Sequence, residues 1–335
     1  MENAQISGDL SEIDLRNATL LNADLTGTDL TGAKLSHANL SRADLIDADL
    51  TGADLTGADI PNAELIRAYL GLANLTGADL GDTDLSDATL SDATLTNATL
   101  RNADLSDADL SDANLIDANL TGTILRDADL SGAYLGLADL TGADLGDTDL
   151  SGADLENANL TGAILRDADL SGAELGGADL RSAELDDTDL SGADLFSAVL
   201  TDADLSGADL GGADLSDANL SDADLRRTIL HHAYLGGADL SDATLSDATL
   251  SDADLSRADL IDAYLNGTNL TNARLEFADL TNAIVLNTDL TTADLNVATL
   301  NEAIFDCNSL TTNSAVNASQ IHIVDSNGNE VSSCN

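Results

Sequence analysis

From Leu10 to Leu310 every fifth residue is leucine, except at Ile60, Val285 and Phe305. The run comprises 61 five-residue words without insertion or deletion. No standard element has this period. On an α-helix, five residues advance a side chain by about 500°, so each leucine would lie about 140° around from the last and no apolar stripe would form. On a straight strand, an odd period sends successive leucines to opposite faces. The chain must therefore turn once per word.

The rest of the word says how. Two residues before each leucine sits a small residue, usually Ala and sometimes Thr, as at Thr28, Thr83 and Thr148. Residues two apart share a face of a short extended segment, so this pair points inward together. Two residues after each leucine the chain places mostly Gly, Asp or Asn, such as Gly52, Gly57, Asp47 and Asn22. These tolerate the positive φ that the third residue of a type II turn requires. Four such corners close a square coil of 20 residues, and coils stack about 4.8 Å apart. The expectation is about 15 coils in a rod roughly 70 Å long.

Tandem A(D/N)LXX words resemble the pentapeptide-repeat proteins, and the resemblance covers residues 6–310. It implies an all-β fold, a right-handed quadrilateral β-helix with the leucine and the small residue inward. Many relatives carry Phe at the central position, which here holds only at Phe305. Residues 1–5 read as a lead-in and residues 311–335 as a C-terminal capping tail, in which "IHIVDSNGNEV" forms a hairpin around Asp325–Gly328. Longer blocks recur: "TGTILRDADLSGAYL" at 121–135 returns as "TGAILRDADLSGAEL" at 161–175, two coils on. Block duplication is the simplest account.

Composition bears on the surface. The net charge is −49, from 61 acidic and 12 basic residues, and Lys34 is the only lysine. Aspartate in such excess suits a cytoplasm holding molar salt, where screening removes self-repulsion. No basic patch exists to neutralise phosphates, so direct nucleic-acid binding is not expected. "MENAQISGDL" has no basic segment followed by an apolar run. No apolar stretch approaches the ~20 residues of a membrane span. A cytoplasmic chain is expected, with Cys307 and Cys334 free as the default and a bridge as the alternative. The Asn-x-Ser/Thr sequons, such as Asn74-Leu75-Thr76, follow from the repeat grammar itself.

No nucleophile is paired with a base, and His37, His231, His232 and His322 are scattered. The chain is read as non-enzymatic, without cofactor or defined metal site. His231-His232 reads as two exposed corner residues before it reads as a ligand pair. The aspartates before the leucines form vertical ladders, and like charges stacked this closely repel. Breaks in the ladders single out residues. Tyr264, Ile284 and Ile304 are consecutive rungs twenty apart and form an apolar strip near the C-terminal end, joined by Phe277. Either the tail folds back over this strip or the strip binds a partner or a second copy, giving a homodimer through the C-terminal end. Arg126, Arg166 and Arg226 form a line of rare cations suited to a partner carboxylate.

Two functions follow. One is a stiff, acidic scaffold that presents faces to a protein partner. The other rests on the resemblance: some pentapeptide-repeat proteins bind DNA gyrase, a type II topoisomerase, as acidic DNA mimics. Coils uninterrupted by loops, and a Debye length of ~3 Å at molar salt, count against mimicry.

Overall fold

The computed structural model describes residues 8–312, 321–325, 328–331 and 334. The chain divides into two compact units, Met1–Ala173 and Glu174–Asn335. In both, one set of bonds recurs from word to word. The amide of the small residue donates back to the preceding leucine carbonyl, as Thr28 N does to Leu25 O at 3.0 Å, closing a four-residue turn. The third residue of each turn is left-handed, for example Asp47 at φ 56° and Gly52 at φ 65°. Only that residue needs positive φ in a type II turn, which agrees with the Gly, Asp and Asn found there. Pro61, the one proline, occupies the second turn position before Asn62 at φ 56°, where its fixed φ fits.

Twenty residues on, the chain meets its own next coil. Parallel bridges run Asp24–Asp44–Glu64–Asp84–Asp104 in the first unit and Asp204–Asp224–Thr244–Tyr264 in the second. Around each bridge the backbone is fully used: Leu25 N donates to Asp44 O at 2.7 Å, Gly27 N to Ile46 O at 2.8 Å, and Asp44 N to Ala23 O at 2.8 Å. Each face contributes a single bridged residue, too short for a named strand.

The interior is a column of leucine and alanine. Leu30, Leu35 and Ala33 are fully buried, as are their counterparts through most of both units. At the N-terminal end Leu10, Leu15 and Leu20 are only half-buried. Where threonine replaces the small residue, its hydroxyl is buried but satisfied. Thr83 Oγ1 donates to Ile60 O at 3.0 Å and Thr268 Oγ1 to Leu245 O at 2.8 Å. A methyl plus one hydrogen bond thus substitutes for alanine at little cost.

The pattern changes at the C-terminal end. Here β1 (Ile284–Val285), β2 (Ala303–Asp306) and β3 (Ile321–Val324) form a parallel sheet in the order β1-β2-β3. Between β2 and β3 lies a short helix, α1 (Cys307–Thr312). The words were expected to continue to residue 310, but the coil stops at Asp306. Asp306 Oδ1 accepts from the amide and hydroxyl of Ser309, at 2.9 and 2.6 Å, which starts the helix. Leu310 is therefore a helix residue. Ser309 Oγ in turn accepts from Thr288 N at 2.9 Å. That bond occupies the amide which elsewhere closes the turn.

After β3 the chain makes the hairpin. Val324 and Glu330 form an antiparallel bridge, and Val331 N donates to Ile323 O at 2.8 Å. Cys307 and Cys334 are joined as a disulfide across 27 residues, so the default of free thiols is corrected. Two residues far apart in sequence met because α1 and the hairpin lie at the same end. The lead-in expected at residues 1–5 lies outside the described residues.

Candidate interaction faces

The outward face of each word is built on the residue before the leucine. Its side chain turns back and accepts the amide of the first corner residue: Ser86 N donates to Asp84 Oδ1 at 3.0 Å, and Ser86 Oγ donates to the same oxygen at 2.7 Å. The same arrangement recurs at Asp104–Ser106, Asp139–Thr141 and Asp239–Ser241. This aspartate caps a corner amide that has no coil partner. Asp59 is the exception that supports the cause: its corner residue is Pro61, which has no N–H to donate.

Asparagine does the same work without charge. Asn74, Asn159 and Asn269 each accept both the amide and the hydroxyl of the threonine two residues on. The left-handed corner position likewise accepts Asn97 and Gly142 as well as Asp92. The fold thus takes an uncharged acceptor, or an apolar residue such as Ile124, at one position and a left-handed residue at the other, and needs a carboxylate at neither.

The structure brings three of the expected strip residues together. Tyr264 bridges Ile284, and Ile284 pairs with Ile304 in β1 and β2. Among the described tail residues, β3 extends the ladder beyond them, since Ile304 pairs with His322. Tyr264 remains 44% exposed, and Ile284 and Ile304 are half-buried.

Phe277 does not join the strip. It occupies a corner of a different edge, with Arg257 one coil before it and Val297 one coil after it. Phe277 is 56% exposed and Val297 63% exposed, both at left-handed φ, 63° and 61°. Val297 is the sharper anomaly. A β-branched side chain in this region is strained, and here it gains almost no burial in return. Beside Phe277 the paired Gly236-Gly237 leave an open groove of about 470 Å³, lined also by Asp217, Asp254, Arg257 and Arg274. Arg274 is held by Asp254 at 2.9 Å and Glu276 at 3.4 Å. Sequence reasoning missed Val297, Arg257 and the groove. The available signal was an apolar residue at the corner position reserved for Gly, Asp or Asn. Leu72 and Leu137 carry the same signal in the first unit, also exposed and left-handed.

The arginines are engaged within the chain. Arg126 Nε reaches Asp144 Oδ2 at 2.6 Å, in the next coil. Arg226 Nε lies 2.8 Å from Asp224 Oδ1, within its own word. Burial pushes the Asp224 carboxyl up, but hydrogen bonds from Arg226 outweigh it and hold the carboxyl below its usual value. Arg166 takes the equivalent outward position in the first unit and is also engaged. Arg16 makes the strongest mark, its hydrogen bonds pulling Asp14 down to about 2. His231 and His232 contact each other edge to face at 5.5 Å. His231 covers Gly211, where an added methyl would meet its ring at 2.5 Å. Among the described residues no group of three or more His, Cys, Asp or Glu is placed to hold a metal ion. Nor is any described helix long and apolar enough to cross a membrane.

A four-sided β-helix built from five-residue words around an interior of leucine and alanine defines a class of repeat protein. The family model for pentapeptide repeats matches in overlapping segments from residue 9 to residue 306. The chain belongs to the pentapeptide-repeat family, whose fold is the right-handed quadrilateral β-helix. Among solved structures it is similar to HetL, a pentapeptide repeat protein involved in heterocyst differentiation regulation in the cyanobacterium Nostoc sp. strain PCC 7120. That match has 35% identity, 75% of this chain and 89% of that one covered, and a TM-score of 0.29. A pentapeptide repeat protein of the Arabidopsis thaliana thylakoid lumen matches at 32% identity over 38% of this chain and 83% of its own, with a TM-score of 0.29. Full-length QnrB1, a plasmid-mediated fluoroquinolone resistance protein, matches at 20% identity over 59% and 86%, with a TM-score of 0.28. No curated protein sequence matches the chain.

Proposed function

We propose that this protein is a non-catalytic scaffold. It binds a protein partner through the apolar corner of its C-terminal unit, and its acidic shell serves as solvation in concentrated salt. The observation that carries the reading is Val297 beside Phe277. Two large apolar side chains stand exposed in left-handed corners, where asparagine or glycine would be less strained and better solvated. A protein that only needed to stay soluble would have no use for them. Tyr264, on a different edge, offers a second contact for an extended partner, and Arg126, Arg166 and Arg226 are weaker candidates because they are engaged within the chain.

The acidity needs no partner to explain it. Asparagine makes the same cap that the aspartates make, so the excess charge is not required for the cap. At molar salt the Debye length is ~3 Å, short enough to tame the ladders and to blunt long-range mimicry of DNA. The alternative, a DNA mimic acting on DNA gyrase, is favoured by the charge, the length and the extended repeat fold expected from the sequence. A supercoiling assay of gyrase, titrated with this protein at molar and at low salt, separates the two. The scaffold reading expects no inhibition at micromolar protein in molar salt. Inhibition there, relieved by excess DNA, would establish the mimic and displace it.

A further inference from the structure

The end of the coil carries a device that the repeat grammar does not require. β3 pairs in parallel with the outer edge of β2 over four residues, from Ala303–Ile321 to Asp306–Val324. An open coil end is a row of unpaired backbone groups, so something must occupy that edge. Yet β3 is lightly held by its own packing. Ile323 is its one fully buried side chain, lying opposite Phe305, while Ile321 and Val324 are half-buried and His322 is exposed. The ion contacts at His322, to Glu302 at 2.7 Å and Glu330 at 2.8 Å, are exposed and open to screening. The covalent tie is therefore disproportionate. Cys307, at the start of α1 directly after β2, is bonded to Cys334 beyond the hairpin. The bond encloses α1, β3 and the described hairpin residues in one ring whose base, Cys307, directly follows the last residue of the coil, Asp306.

We propose that the Cys307–Cys334 disulfide is a thiol-controlled latch that sets how firmly β3 covers the β2 edge. Reduction by a dithiol proceeds through a mixed disulfide. One thiolate of the reductant attacks a cysteine sulfur, the Cys307–Cys334 bond breaks, and the second thiol displaces the other cysteine. Two electrons and two protons pass to the protein, giving two thiols, and the reductant leaves as its own cyclic disulfide. Opening the ring restores chain entropy to the detached state and leaves β3 dependent on its four-residue ladder and on Ile323. The β2 edge, with its amides and with Ile304 and Phe305, then becomes intermittently accessible.

The test is hydrogen exchange of the full-length protein followed by mass spectrometry, in oxidised form, after dithiothreitol, and as the Cys307→Ser and Cys334→Ser variants. The expected result is exchange at Ile321–Val324 and Val331 at least tenfold faster in the reduced protein and in both variants. Residues such as Leu100–Leu150 should keep their rates, which separates release of β3 from unfolding of the chain. Equal β3 rates in oxidised and reduced protein would overturn the proposal. So would acceleration spread evenly along the coils, or two titratable thiols in the protein before reduction.

Discussion

Asp84 shows how the charge and the hydrogen bond can be weighed separately. Its carboxylate caps Ser86 through two hydrogen bonds, and its rungs above and below are Glu64 and Asp104. Asp84→Asn keeps an acceptor and removes the charge; Asp84→Ala removes both. With carboxylates ~5 Å apart, each neighbour costs about 0.8 kcal/mol in a medium like water, or about 1.6 for the pair. At 10 mM salt the Debye length of ~30 Å leaves about 1.4 kcal/mol of this, and at 1 M only about 0.3. The hydrogen bonds lost in the alanine variant are worth about 1–2 kcal/mol. Urea denaturation, which leaves ionic strength free, should therefore find the Asn variant stabilised by about 1.4 kcal/mol at 10 mM KCl and nearly neutral at 1 M. The Ala variant should be close to neutral at 10 mM and destabilised by about 1 kcal/mol at 1 M. The gap between the two variants is the cap alone and should not change with salt. An Asn variant destabilised at both salts, or a gap that closes at 1 M, would refute the separation of cap from charge.

Other consequences follow from single residues. Val297→Asn relieves a β-branched residue of its left-handed φ and should stabilise the protein by about 0.5–1 kcal/mol while weakening partner binding, read by denaturation and by affinity for an identified partner. Gly237→Ala places a methyl against Asp217 Oδ1 at 2.5 Å, whereas Gly52→Ala meets nothing within 4 Å. Both share the cost of a left-handed alanine, so the Gly237 variant should have the lower urea midpoint. His322 is raised above its ordinary value by hydrogen bonds to Glu302, then Glu330. Its contribution to holding β3 is thus fully present below the unfolded value near 6.5, and is lost as pH rises through the higher folded value. Amide exchange in β3, corrected for intrinsic rates, should show that loss. The Asp14 carboxyl should titrate at about 2 by NMR, and Arg16→Gln should return it towards the ordinary range.

The period of five at Leu10 to Phe305 forces one turn per word, and in each unit the structure follows it, with the turn at Thr288 closed by Ser309 instead of by the backbone. Gly, Asp and Asn at the corners announced the left-handed residues. What escaped sequence reading was relational. Phe277 belongs with Val297 and not with Tyr264, because edges are defined by position within twenty residues and not by nearness in the chain. The capping aspartates were read only as charges, although Asp-Leu-Ser and Asn-Leu-Thr side by side point to a cap made by the side-chain oxygen. The helix at Cys307 hides behind Leu310, a residue of the right type in the right register. There Asp306 and Ser309 make a helix start that outweighs the last repeat of the pattern. The disulfide depends on where the hairpin carries Cys334, which no local pattern encodes.

The most direct test of the central claim, that the acidic shell is solvation for a salt-rich medium laid over a fold that does not need it, is urea stability of the whole protein as a function of KCl. The account predicts a midpoint that climbs steadily from 10 mM to 2 M KCl, with the same β-type circular dichroism in the native baseline throughout. A midpoint indifferent to salt would contradict it, because 61 acidic residues against 12 basic ones would then carry no repulsion for salt to screen.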